Sequence, residues 1–313
     1  MAKIRAAMVT DVGGIGDESF NASAWQGLQM AKQKLGAEVR YLESATAADY
    51  VKNLRALAGQ KYDVVFAVGF LMENALKQVA PRYPAVKFAI IDGSAPAAAN
   101  TVSIKFNEQE GSFLVGALAA GVSKKKIVGF VGGMNVPLIK KFEAGYRAGA
   151  QTMGAARTLV GYTGNWDDVG KGRELALTQF RQGADIVYHA AGRCGIGVIE
   201  AAKQRGAGYY AIGVDMDQDG LAPGRVLTSM VKRVDQAVFD VCKRASEGKF
   251  KSGQIVYGVK EGGVGMSAMK HTKKDVPAPL LQKVERLRVM IVNGQLKPPA
   301  DEAALKSFKP PKV

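Results

Sequence analysis

The chain has 313 residues, 47% hydrophobic and 23% charged, with 43 Lys and Arg against 28 Asp and Glu for a net charge of +15. That is a globular composition, long enough for two hydrophobic cores, and it holds no apolar run of about eighteen residues that could span a membrane. The basic residues are spread out: even the densest stretch, from Lys270 onward, has prolines and no aromatic interleaving beyond Phe308, which argues against a nucleic-acid partner and for a solvated basic surface. A net positive field of this kind also eases contact with anionic membranes or acidic partners.

In chain order, the start enters the apolar run Ile4–Val9 almost at once, with no apolar leader or cleavage site. Then comes "DVGGIGDESFN", Asp11 to Asn21. Further short Val/Ile-rich runs are expected as strands at Val39–Leu42, Val64–Val68, Phe88–Ile91, Val102–Phe106, Ile127–Val131, Leu159–Tyr162, Ile186–Tyr188, Tyr209–Val214, Val226–Met230 and Ile255–Val259. Helical patterns lie between most of them: Ala24–Leu35, Ala48–Ala58, Asn74–Ala80, Gly111–Val122, Ile139–Met153, Gly170–Gln182 and Val234–Ala245. Alternating strands and helices predict parallel sheets built from βαβ units, and eleven strands predict two α/β domains, each doubly wound. The polar breaks near Asn107, Arg233 and Val259–Gly265 place one lobe at 1–106 plus 234–260 and the other at 107–233 plus 261–313. Three crossings between them would form a hinge.

The stretch from Asp63 to Asp92 and the stretch from Asp185 to Asp215 share one pattern: strand, small-residue loop, helix, strand, terminal aspartate. In a parallel sheet, ligands meet the carboxyl ends of the strands, so Asp92 and Asp215 are expected at the functional edge. A turn or capping role would explain an aspartate there equally well.

Catalytic signatures are missing. Gly13, Gly14 and Gly16 give G-G-x-G rather than the dinucleotide spacing, and Asp17 and Glu18 would repel a pyrophosphate at a helix start. No nucleophile–base motif emerges. Cys194 and Cys242 make no disulfide framework, and His189 and His271 stand in no ligand-like cluster with them, so neither metal nor cofactor is expected. His189 reads as a packed residue at a strand end.

What remains suits recognition. Phe20 and Trp166 fall outside the apolar periodicity, each after a strand and a turn, and can sandwich a flat ring from opposite lobes; a packed core aromatic or a helix-entry staple would explain either ring alone. Asp11, Asn21 and Asp92 offer acceptors for the N–H edge of a purine, with Asn21 a donor as well, Asp215 acceptors for two sugar hydroxyls, and Lys232 a cation for a sugar oxygen or a carboxylate.

These residues sit in motifs that resemble the basic membrane protein family of ABC-transporter substrate-binding proteins, the purine-nucleoside-binding type. The likeness covers nearly the whole chain and is carried by "DVGGIGDESFNASAWQGL", "FAIIDG", "VSIKFNEQEGSFLVGALAA", "VGFVGGMNVPLIKKFEAGYRAGA", "GADIVYHAAG", "AIGVDMDQDG" and "TSMVKRVDQAV". The resemblance implies a type I periplasmic-binding-protein fold that does no chemistry on its ligand. It implies a purine nucleoside or nucleobase between Phe20 and Trp166, where the family usually has Phe in the second position. Asp11, Asn21 and Asp92 correspond to base-binding positions, and Asp215 and Lys232 to ribose-binding ones. It further implies an ABC permease as partner and a monomeric protein in the periplasm or tethered outside the membrane through a removed leader. Arg193, in "HAAGRCGIG", departs from the family pattern and suits a carboxylate or phosphate. The competing readings are a sugar-binding or sensor protein of the same fold, or an NAD(P)-dependent oxidoreductase.

Overall fold

The computed structural model describes residues 3–312, which fall into two compact units. One comprises the residues up to Phe106 together with Arg233–Tyr257; the other comprises Asn107–Lys232 together with the residues from Gly258 onward. Each is built on its own six-stranded sheet.

In the first unit the strands are β1 (Arg5–Val9), β2 (Glu38–Leu42), β3 (Val64–Val68), β4 (Lys87–Ile91), β5 (Thr101–Phe106) and β11 (Gly253–Tyr257), in the order β11-β5-β4-β3-β1-β2 and all parallel. Helices α1 (Phe20–Leu35), α2 (Asp49–Gly59), α3 (Glu73–Val79) and α8 (Val234–Ser246) complete it. Burial explains the strand composition: every residue of β3, Val-Val-Phe-Ala-Val, is buried, whereas the edge strand β2 alternates towards exposure.

The second unit repeats the plan. Its strands are β6 (Ile127–Gly132), β7 (Arg157–Tyr162), β8 (Ile186–Ala190), β9 (Tyr210–Asp215), β10 (Val226–Lys232) and β12 (Val264–Met266), in the order β12-β10-β9-β8-β6-β7. All pair in parallel except β12, which runs antiparallel to β10. The helices are α4 (Glu108–Val122), α5 (Pro137–Thr152), α6 (Val169–Arg181), α7 (Cys194–Arg205), α9 (Ala278–Val292) and α10 (Glu302–Ser307). With β11 and β12 set aside, both sheets have the doubly wound order 2-1-3-4-5, whose switch point lies between the first and third strands. That point falls between β1 and β3 in one unit and between β6 and β8 in the other.

Helix pairs are drawn together by glycine. A Cβ on Gly149 of α5 would fall on the Phe113 carbonyl of α4, and one on Gly116 of α4 on the Tyr146 carbonyl of α5. Gly27 of α1 lies as close to Asp235 of α8, and Gly172 of α6 to Cys194 of α7.

Several elements differ from expectation. Helix α1 begins at Phe20 rather than Ala24, because Asp17 caps the earlier amides. Strand β11 lies at Gly253–Tyr257 rather than Ile255–Val259. Strand β12 was not anticipated: three residues with a central glycine carry no readable period, and only the free edge of β10 organises them. The basic C-terminal stretch is also more than a solvated surface, since α9 buries Leu280, Val284, Leu287 and Ile291 at helical spacing.

Candidate functional site

The loop after β1 in the first unit folds around two carboxylates. Asp17 accepts from the backbone N–H groups of Ser19 (3.0 Å), Asn21 (2.8 Å) and Ala22 (3.0 Å), so it fills the amino end of α1 itself. That end therefore has no seat for a phosphate. Asp11 Oδ1 accepts from Gly13 N–H at 2.9 Å and from Asn21 Nδ2 at 2.8 Å. Asn21 Nδ2 also donates to Asp17 Oδ2 at 3.0 Å, so its amide donors serve the two aspartates. Its buried Oδ1 accepts no hydrogen bond within the described protein. The expectation that Asn21 offers both donor and acceptor narrows to the acceptor.

Burial pushes the Asp11 carboxyl up to about 6; the bonds from Asn21 and Gly13 oppose that rise, and the nearby charges of Asp17 and Asp92 add to it. Gly69, directly after β3, adopts a φ of 115°. A Cβ there would stand 3.1 Å from Asp11 Oδ2 and 3.7 Å from the Phe20 ring. Asp11, Phe20 and Gly69 thus meet at the β1/β3 switch point, and Phe20 is partly exposed in the first turn of α1.

The second unit places Trp166 at the matching point. Its indole covers Gly133, the residue after β6, so closely that a Cβ on that glycine would enter the ring. Gly192, after β8, lies beside it from the other strand, where a Cβ would stand 3.6 Å from the ring. The supporting loop is pinned by Thr163 Oγ1 donating to the Asn165 carbonyl at 2.8 Å and by Cys194 Sγ, 3.2 Å from Asn165 Oδ1. Cys194 is a buried free thiol, as is Cys242.

Asp92 follows β4 and Asp215 ends β9, the fourth strands of the two equivalent orders. Both are buried, and both take left-handed backbone, at φ 62° and 65°. Aspartate is among the few non-glycine residues that tolerate this region. Behind Asp215, Gln218 Oε1 accepts from Val214 N–H at 3.0 Å, and His189 Nε2 lies 2.9 Å from the same oxygen. Because that oxygen already accepts, His189 must donate from Nε2. Burial lowers the His189 pKa to about 4, so the ring is neutral and packed at the end of β8, as anticipated.

Lys232 is buried, and its Nζ lies 3.0 Å from Glu108 Oε1, while Lys141 approaches the other oxygen of Glu108 at 3.3 Å. The sequence reading allowed for a carboxylate partner but did not identify Glu108. Arg193 is exposed at the start of α7 and forms no ion pair among the described residues. Gly69, Gly133, Gln218 and Glu108 were not singled out in advance. The glycines had one readable signal, a small residue directly after an apolar run.

A matched pair of doubly wound units, each with an aromatic ring at its switch point and a buried aspartate at the end of its fourth strand, defines the class: a solute-binding protein of the type I periplasmic fold. The profile of the Bmp family, described as ABC transporter substrate-binding protein PnrA-like, matches residues 4–302. The chain is 38% identical to the CD4+ T-cell-stimulating antigen of Listeria monocytogenes, over 94% of this chain and 87% of that protein. It is 33% identical to the ABC transporter nucleoside-binding protein BmpA of Lactococcus lactis, over 95% and 89% respectively. A solved solute-binding protein of an ABC transporter system from Aeropyrum pernix K1 superposes with a TM-score of 0.89 at 31% identity, over 97% of this chain and 96% of that one. The chain belongs to the PnrA-like family of ABC-transporter substrate-binding proteins, a family of binding proteins and not of enzymes. Among the described residues no helix is long and apolar enough to cross a membrane.

Proposed function

We propose that this protein captures a purine nucleoside or nucleobase between its two units, outside the cytoplasm, and hands it as a monomer to an ABC permease. The supporting observation is the equivalence of the two half-sites. Phe20 and Trp166 occupy matching switch points, each beside a glycine that lets the ring lie close to the strand ends. In this reading the flat ring stacks between Phe20 and Trp166. Asp11, Asn21 and Asp92 meet the polar edge of the base, Asp215 and Lys232 meet the ribose, and Arg193 stands at the rim for an acceptor on the ligand. The nucleoside-binding name of the Lactococcus relative supports the same ligand class.

Isothermal calorimetry with purine nucleosides, free bases and monosaccharides tests it. Purine ligands should bind, and Phe20→Ala and Trp166→Ala should each weaken them by about ten- to a hundredfold through lost stacking and packing. Binding of monosaccharides alone, or unchanged affinity in both variants, overturns the reading.

A further inference from the structure

We propose that the end of the second sheet at which its parallel strands begin is a docking surface for anionic phospholipid headgroups. Each of the five parallel strands there is entered through a cation. In spatial order these are Arg225 before β10, Arg205 before β9, Arg181 before β8, the Lys124–Lys125 pair before β6, and Arg157 at the start of β7. At a strand spacing of about 4.8 Å the row is roughly 20 Å long. All but Arg225, which is partly exposed, are exposed.

Helix ends account for part of the row. Arg157 donates to the Gln182 carbonyl at 3.0 Å and Arg225 to the Gly206 carbonyl at 2.9 Å, and Arg181 and Arg205 stand in last helical turns. Capping explains a donor at each place but not the lack of counter-ions. Among the described residues none of these cations pairs with a carboxylate. Two carboxylates adjoin the row: Asp185 is buried and accepts from the Ser123 hydroxyl (2.6 Å) and the Lys124 and Lys125 amides (2.9 and 3.1 Å), and Asp275 accepts from the Tyr210 hydroxyl at 3.3 Å. At the corresponding end of the first sheet, by contrast, Arg5 pairs with Glu38 at 3.1 Å.

Two further observations select the partner. Tyr209, beside Arg205 at the entry to β9, has Lys125 and Arg205 over its ring at 4.9 and 4.4 Å, so its faces are not free to stack a nucleic-acid base, and the hydroxyl of the adjacent Tyr210 is bonded to Asp275. At the opposite ends of the same strands Asp167, Asp168, Asp215, Asp217 and Asp219 stand among Lys140, Lys141, Arg193 and Lys232, so charges of both signs mix there. An anionic surface therefore attracts the cationic row more strongly than the mixed end of this unit.

The test is sedimentation of the purified chain with vesicles of phosphatidylcholine alone or of three parts phosphatidylcholine to one part phosphatidylglycerol. Binding should require phosphatidylglycerol and weaken with salt. It should fall by about fivefold or more in Lys124→Glu with Arg181→Glu, and far less in Lys52→Glu with Arg55→Glu, which changes net charge equally on exposed α2. Circular dichroism melts check that both double variants remain folded. Equal binding to phosphatidylcholine, or equal losses in the two variants, overturns the proposal. So does a single-stranded oligonucleotide that strips the chain from the vesicles at equal phosphate concentration, since that marks a polyanion groove instead.

Discussion

Asp11 carries the residue-scale chemistry that is easiest to measure. Its carboxyl is buried and raised to about 6, so the folded chain holds that proton more tightly than the unfolded chain does. The associated stability is fully present below the ordinary aspartate range and is lost as pH rises through about 6. Ligand binding has the opposite sign if a base N–H donates to Asp11, because the ionised acceptor is then favoured. Calorimetry at pH 7 and pH 5 should show affinity about tenfold weaker at the lower pH, with proton release on binding there. Asp11→Asn should flatten that dependence. A constant affinity across the interval removes Asp11 from the ligand contacts. The neighbouring Asp17 has a different task although it stands in the same motif: its oxygens serve the α1 amides. Residue type alone could not distinguish the two aspartates, because the difference lies in which amides each one reaches.

At the scale of elements, the strands were legible because burial on both faces demands unbroken Val/Ile runs. Helices α4, α5 and α6 were legible as patterns between strands, but nothing in those patterns marked their glycines as points of close approach. Structure shows α4 and α5 meeting backbone to backbone at Gly116 and Gly149. Gly149→Val should therefore cost about 1–3 kcal/mol or more in urea melts, by forcing the pair apart. Gly59→Ala, in a helical position with open space around the glycine, should stabilise by about 0.5–1 kcal/mol. Equal effects from the two substitutions would mean that helix propensity, not close approach, governs these glycines. Strand β12 shows the limit of pattern reading, since three residues have no period and exist as a strand only through the hydrogen bonds of β10.

For the whole molecule, the chain passes from one unit to the other at Phe106–Asn107, Lys232–Arg233 and Tyr257–Gly258. The buried Lys232–Glu108 pair ties two of these passages together on the side of the second unit. Breaking such a pair by removing one partner leaves an uncompensated buried charge. If one ligand is gripped by both units, hydrogen exchange should slow on its addition at Gly13–Ala22 and at Gly133–Trp166 together. Protection confined to one unit would mean that the ligand belongs to that unit alone.

Composition, spacing and the apolar runs by themselves determined two α/β units, the absence of a dinucleotide loop and the candidate residues of each half-site. These follow from local rules: period, turn chemistry and the burial of both faces of a parallel strand. Tertiary structure alone decided that Asp17 caps while Asp11 faces the switch point, that Asn21 has its donors in use, that Lys232 is held by Glu108, and that glycines admit Phe20 and Trp166 to the strand ends. Each of those depends on distances between segments far apart in the chain, and a hydrogen bond or a ring-on-glycine contact exists only once the strands are in register.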